Sequence, residues 1–555
     1  MNLRDTRILV AIDFGTTYSG FAYAHKENPE NVVVNNSWPG REGVFKTPTA
    51  LQYDERYNKV INWGYNALVE EPDELEEGSD DLEEQRTRPV ELFKLHLSTL
   101  GWNDKPWLPP RFGYKKAVKD YLSKLGELIK DTLKRRWPNV SFPRQVDFVF
   151  TIPAEWPPNT TRIMRECAHG AGLLSSLNSN NIEFTTEPEA AALHCLSVMN
   201  EHHLGPGDSF LVADCGGGTI DLTSRKLLPG NRLSEITERV GDLCGGSFID
   251  KRFLKWLGKK LGTDALEALK SNHYGQMQFI VQRFFCQRIK YKFNGDKLEY
   301  RPLKLNVPYY CPDLNRYVTG NYKEQMEQVG WVLRVDFDSV VEMFDPIVNR
   351  IIKLLEDQLK SSREKCSAMF LVGGFSESPY LQRRVRESFS SKVPIISVPA
   401  LPIAAIVRGA ITYGFNIDIV QDRILKWTYG IEEPKKDKAS RKTDDGLILY
   451  FHKLAQRGKS VGVDQKFMTD FFPTRPDQEI ISFNIYYTPR YGAKFCDDPG
   501  MKLLGTLRVR ATDTHLGLNR PIEFLLAFGK MEIKATAKNK RTGRVYNETT
   551  FDLDI

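Results

Sequence analysis

Two short segments bring an aspartate, glycines and threonine into close succession: Asp13-Phe14-Gly15-Thr16-Thr17 and Asp214-Cys215-Gly216-Gly217-Gly218-Thr219. Glycines let backbone N–H groups approach an anion, threonine hydroxyls add donors, and a carboxylate holds a hard cation directly or through water. A triphosphate carried with Mg²⁺ asks for all three. One such segment fits a glycine turn beside a capping aspartate equally well; two in one chain favour a pair of phosphate-binding loops.

The elements that must position these residues read from the flanking runs. Ile8-Leu9-Val10-Ala11-Ile12 and Phe210-Leu211-Val212-Ala213 are continuously apolar, which suits strands covered on both faces. Their likeness implies a duplicated α/β unit closing on one ligand. Val146-Asp147-Phe148-Val149-Phe150-Thr151-Ile152 reads as another buried strand, followed by a helix over residues 162–171 that stops near Gly172. Pro188 suits a first helical turn ahead of Glu189-Ala190-Ala191-Ala192. Asp345-Pro346 is expected to open a helix with Ile347, Ile351, Leu354, Leu355 and Leu359 on one face, before the strand and turn Met369-Phe370-Leu371-Val372-Gly373-Gly374. Strands alternating with helices imply mixed α/β layers. After Gly414 the segments become short and alternating, over residues 506–510, 522–526 and 531–535. The expected division is a nucleotide-binding unit over 1–414 with an acidic insertion at 69–86, a linker over 415–430 and a β-rich domain over 431–555.

Composition bounds the partners. At 555 residues two or three domains are expected, and 41% hydrophobic with 27% charged residues describes an ordinary folded chain. The net charge of +6, from 77 basic and 71 acidic side chains, gives no bulk field for nucleic acid or a membrane surface. The run EEPDELEEGSDDLEE reads as a solvated insertion, with partner binding as the sharper alternative. The basic stretch from Lys435 to Lys442 reads as a solvated loop, with a nucleic-acid or nuclear-import role as its alternative. The eight cysteines stand singly, which argues against structural zinc and a disulfide framework. With no signal-peptide core and no span-length apolar run, a cytoplasmic or nuclear setting is expected.

Four further segments carry a resemblance: the strand and helix from Phe148 to Gly172, Thr186-Glu187-Pro188-Glu189-Ala190-Ala191-Ala192, Gly241-Asp242-Leu243-Cys244-Gly245-Gly246, and Leu371-Val372-Gly373-Gly374-Phe375-Ser376-Glu377-Ser378-Pro379. In this order they resemble the ATPase domain of the heat shock 70 family, which has the duplicated actin-like (ribonuclease H-like) fold. Trp63-Gly64-Tyr65, Glu91-Leu92-Phe93-Lys94 and Thr428-Tyr429-Gly430-Ile431 are most like the divergent 12A/12B branch. The resemblance implies ATP or ADP with Mg²⁺ as ligands. Asp13 and Asp214 would place the metal through water, and Thr16, Thr17 and Tyr18 would hold phosphates with Gly15. Gly216, Gly217, Gly218 and Thr219 would grip the terminal phosphate, with Gly245 and Gly246 nearby and Gly373 and Gly374 against the nucleoside. Glu187 would position the attacking water and Lys94 would balance charge on the γ-phosphoryl group.

The chain also departs from the pattern. Gln287 and Tyr291 stand where the family has Glu and Arg, leaving Lys290 as the matching adenosine contact, and Glu377 stands where an Arg is usual. Triphosphate binding is therefore expected more firmly than adenine selectivity. Cys215 reads as a small buried filler, with a redox sensor as its alternative. Residues 417–422 only loosely echo the family's linker, and a β-rich region without the family's helical lid is expected, with fast exchange of any protein or peptide client. The expected function is a chaperone-type ATPase that switches conformation. The alternatives are a nucleotide-binding scaffold without hydrolysis and a small-molecule kinase of the same fold.

Overall fold

The computed structural model describes residues 6–68, 87–98, 100–154, 156, 160–435, 448–462, 465–528 and 532–552; the acidic run and nearly all of the basic stretch lie outside them. The two apolar runs form wholly buried strands, Ile8–Asp13 and Ser209–Cys215. They hold the same place in two sheets built alike. Ile8–Asp13 pairs antiparallel with Tyr18–His25 and parallel with Val146–Ile152, which is parallel to Ile182–Thr186. Ser209–Cys215 pairs antiparallel with Ile220–Leu228 and parallel with Cys366–Val372, which is parallel to Ile395–Ser397. A third antiparallel strand extends each hairpin, Asn28–Val34 in one lobe and Arg232–Glu235 in the other. This repeated topology is the duplicated α/β unit that the paired motifs suggest, and it is consistent with the actin-like ATPase fold that the resemblance implies.

Between the sheets runs a shared core. Leu9, Ala11 and Val149 of the first lobe and Phe210, Val212 and Phe370 of the second pack around two helices, Glu187–Cys195 and Ala405–Phe415. The helices approach so closely that a Cβ on Gly409 would lie 1.7 Å from the Ala190 carbonyl oxygen. A side chain there would force them apart.

One expected boundary is corrected. Pro346 does not open a helix; it lies inside Phe337–Ser361, whose N-cap is Asp336, accepting from the Ser339 N–H at 2.8 Å. An internal proline leaves the carbonyl four residues earlier without its donor. Here that carbonyl belongs to Glu342, and the Arg252 guanidinium from another helix donates to it at 3.1 and 3.3 Å.

The C-terminal residues form two four-stranded antiparallel sheets. One is ordered Ile448–Ala455, Thr428–Lys435, Ile480–Thr488, Lys502–Arg510; the other Gln465–Phe471, Ile522–Phe528, Glu532–Asn539, Val545–Asp552. Alternation along the strands sends Ile431, Ile485 and Val509 inward to meet Phe524, Leu526 and Ile533. This core is continuous with that of the first lobe. Among the described residues no helix is long and apolar enough to cross a membrane.

Candidate functional site

Both Asp-Gly-Thr segments turn out of their sheets into one cleft of about 920 Å³. Asp13 and Asp214 end equivalent strands, so the duplication aims two carboxylates at each other from opposite lobes. The turns behind them touch: a Cβ on Gly217 would lie 2.0 Å from Thr17 Oγ1, and one on Gly218 would lie 2.9 Å from Thr16 Cγ2. Only glycine allows that approach. Gly15, Thr16, Thr17, Tyr18, Gly216, Gly217, Gly218 and Thr219 all line the cleft. Tyr18 reaches across it, its hydroxyl donating to Gln282 Oε1 at 3.2 Å.

Gly246 also lines the cleft, but Gly245 does not. It lies behind the glycine turn, its N–H donating to the Gly218 carbonyl at 3.2 Å while Gly246 N–H donates to Gly216 at 3.0 Å. Gly373 and Gly374 follow the strand Cys366–Val372 and line the cleft, Gly373 against Asp214 and Gly374 beside Ile403. Gly373 has φ +81°, and a Cβ on it would come within 2.4 Å of Asp214 Oδ1.

The first turn of helix Glu187–Cys195 presents Glu187 to the cleft, fixed by Thr186 as N-cap and Pro188 in the opening turn. Lys94 lies in the short 3₁₀ turn Phe93–Leu97 and is only 2% exposed. Its ammonium donates to Glu187 Oε1 at 2.7 Å and lies 4.9 Å from the centre of the Trp156 ring. Burial raises the Glu187 carboxyl against the opposing pull of Lys94. Burial also raises Asp214 well above the usual carboxylate range, helped by the charges of Glu187 and Asp221.

Three further carboxylates act on Asp214, namely Glu187 and Asp13 across this end of the cleft and Asp221 buried behind it, and two ammoniums, Lys46 and Lys94, stand against the four. Four negative charges against two positive leave a formal excess of two negative, and a divalent cation would relieve the mutual repulsion. Among the described residues no group of three or more His, Cys, Asp or Glu side chains is suited to hold a metal directly. Asp13 and Asp214, which line this end of the cleft, are the carboxylates such a cation would meet there.

The nucleoside end is built differently. Lys290 is tied to both oxygens of Asp250, at 2.8 and 2.9 Å. Burial opposes its charge, but Asp250 prevails and holds the ammonium above its usual range. Tyr291 and Glu377 line the same wall, and both are exposed to solvent. Cys215 is fully buried and its thiol is pushed well up, first by burial and then by Asp214, which fits a filler.

Sequence reasoning missed Lys46, Asp221, Asp250 and Gln282. Asp221 and Asp250 lie just past the motifs that end at Thr219 and Gly246, Asp221 buried behind the cleft and Asp250 lining it, whereas Lys46 and Gln282 reach the cleft from chain outside any motif. Lys46 Nζ stands 2.5 Å from Asp13 Oδ2.

Fold and cleft together define a nucleotide-binding, Hsp70-like protein of the actin-like ATPase fold. The chain is 28% identical to the heat shock 70 kDa protein 12A of Mus musculus, over 97% of this chain and 90% of that protein. It is 25% identical to the heat shock 70 kDa protein 12B of Homo sapiens, again over 97% and 90%. With the chaperone protein dnaK of Guillardia theta it shares 24% identity over 76% of this chain and 63% of that protein. No protein-family model matches. The similarity to the divergent 12A/12B branch of the heat shock 70 family therefore extends well beyond the cleft motifs, to nearly the whole chain.

Proposed function

We propose that this protein is a chaperone-type ATPase in which slow hydrolysis of Mg-ATP switches the relation of the two lobes, and the β-rich domain passes the change to a protein or peptide client in the cytosol or nucleus. The observation that carries this is the buried Lys94–Glu187 pair, 2.7 Å apart in a cleft that Asp13 and Asp214 also line. A carboxylate kept basic in a water-poor site orients an attacking water, and an ammonium on its other side fixes its position and offsets charge developing on the phosphoryl group. Thr16, Thr17, Tyr18 and Gly15 grip the phosphates from one lobe, and Gly216, Gly217, Gly218 and Thr219 grip the terminal one from the other. Gly245 supports that turn from behind, while Gly246, Lys290, Gly373 and Gly374 border the nucleoside. When bound between Asp13 and Asp214, Mg²⁺ supplies charge neutralisation on the phosphates.

A second reading, binding without hydrolysis, is favoured by the altered nucleoside wall, where Asp250 already occupies Lys290. Titration with Mg-ATP and a phosphate-release assay separate the two. Glu187→Gln is expected to keep nucleotide affinity and lower turnover about a hundredfold or more, and Asp214→Asn to weaken Mg-ATP binding itself. Absence of binding by the wild type overturns the proposal. Binding without turnover selects the scaffold, and turnover only with an added small-molecule acceptor selects a kinase.

A further inference from the structure

Lys46 lies at the phosphate end of the cleft, outside every motif that the sequence offered. Its backbone is fixed beside the first phosphate loop. The strand Thr47–Pro48 pairs with Ser19 and Tyr18, and the Tyr65 hydroxyl donates to the Lys46 carbonyl at 3.2 Å. Its stem is fixed too, because Gly20 leaves just enough room for it: a Cβ there would sit 3.1 Å from Lys46 Cγ. The side chain is 13% exposed and ends 2.5 Å from Asp13 Oδ2, and its remaining carboxylate neighbours are Asp214 and Glu187.

Lys94 and Lys46 thus divide the acid cluster between them, Lys94 on Glu187 and Lys46 on Asp13. They differ in what surrounds them. Lys94 is enclosed, with aromatic rings of Phe14 and Trp156 beside its ammonium. Lys46 lines the open cleft with Gly15, Thr16, Thr17 and Gly217. A lysine is a compact charge on a flexible stem with three donors, so it exchanges a carboxylate for a phosphate oxygen without moving its backbone. It also competes for Asp13 with any metal held there through water, since two cations beside one carboxylate repel.

We propose that Lys46 is a tethered cation of the phosphate site: it holds Asp13 before nucleotide arrives and turns its ammonium onto the terminal phosphates of a nucleoside triphosphate. This rests on the nucleotide reading above. Triphosphate binding then depends less on free Mg²⁺ than two aspartates alone require, and Mg²⁺ enters with the triphosphate, not ahead of it.

The test uses the full chain, wild type and Lys46→Gln, with Lys46→Arg as the variant that keeps the charge. Isothermal titration with ATP is run in Mg²⁺ and in EDTA, and thermal melting is followed with Mg²⁺ alone. Lys46→Gln is expected to lose about ten- to hundredfold in ATP affinity in EDTA, the range of a hydrogen bond to a charged group, and at most about threefold in Mg²⁺, within the usual scatter of a surface-level effect. Lys46→Arg should stay near the wild type. Mg²⁺ alone should raise the melting temperature of Lys46→Gln more than that of the wild type. Equal losses in EDTA and Mg²⁺, or wild-type binding abolished by EDTA, overturn the role of Lys46 while leaving the nucleotide reading standing. Failure of the wild type to bind ATP even with Mg²⁺ overturns both.

Discussion

Lys94 and Glu187 are buried together, and each makes the other tolerable in the protein interior. Removing one member of such a pair leaves an uncompensated charge and costs about 3–5 kcal/mol, whereas removing both charges costs far less. Lys94→Met should therefore lower stability by about that amount, and adding Glu187→Gln to it should restore more than half, as read from equilibrium urea unfolding. A double variant as unstable as Lys94→Met would mean that Lys94 acts by packing alone. At this scale the sequence was informative wherever chemistry is local. Asp13-Phe14-Gly15-Thr16-Thr17 carries turn and donors in consecutive residues, and so does Asp214 to Thr219. Lys46 was illegible for the opposite reason: its meaning is its distance from Asp13, set by a strand pairing with Ser19 and Tyr18 and not by its neighbours Phe45 and Thr47.

Helix Glu187–Cys195 has one end in the cleft and the other in the core between the lobes, where it carries His194. Burial, aided by the charge of Arg408, pulls this imidazole down to about 4. The native state therefore holds His194 neutral while the unfolded chain takes up a proton near pH 6.5. Between those values the unfolded state binds more protons, so stability rises with pH and is lost as pH falls from about 6.5 toward 4. His194→Gln should flatten the melting temperature across that window, measured from pH 4 to 7; an unchanged slope would assign the acid sensitivity to other groups. The helix itself was readable from Pro188 and the alanines that follow. Helix Phe337–Ser361 was readable on its apolar face and misread at its start, because proline normally marks a first turn. What lets Pro346 sit mid-helix is Arg252, some ninety positions earlier, whose guanidinium takes over the orphaned Glu342 carbonyl. The sandwich strands were seen as alternation but too short, since pattern ends where side chains turn to solvent while backbone pairing continues.

Across the whole molecule, the segment joining the cleft lobes to the sandwich is anchored by buried charge. Arg423 makes a two-pronged contact with Glu189 at 2.9 and 3.0 Å, and Glu189 also meets Arg225 at 3.4 Å. Burial pushes the Glu189 carboxyl up, but Arg423, Arg225 and Arg239 outweigh it and hold the group well below the usual range. Glu189 lies two residues after Glu187 in the same helical turn, so the carboxylate facing the cleft and the one gripping the connector move as a unit. The other lobe is tied in as well: Asp422 accepts from Ser234 at 2.9 Å, and Arg457 of the sandwich forks onto Glu238 at 2.7 and 3.0 Å. A rotation between the lobes must strain or release one of these ties, which is how nucleotide state would reach the sandwich. Arg423→Met cuts the tie to the first lobe while leaving Glu189 its contact with Arg225. Hydrogen exchange of the strands Thr428–Lys435 and Ile480–Thr488, compared with ATP and with ADP, should differ in the wild type and become the same in Arg423→Met, with ATP affinity changed by no more than about threefold. If the variant keeps the nucleotide-dependent difference, coupling runs through Glu238 and Arg457 instead, and Arg457→Met is then the variant that must abolish it.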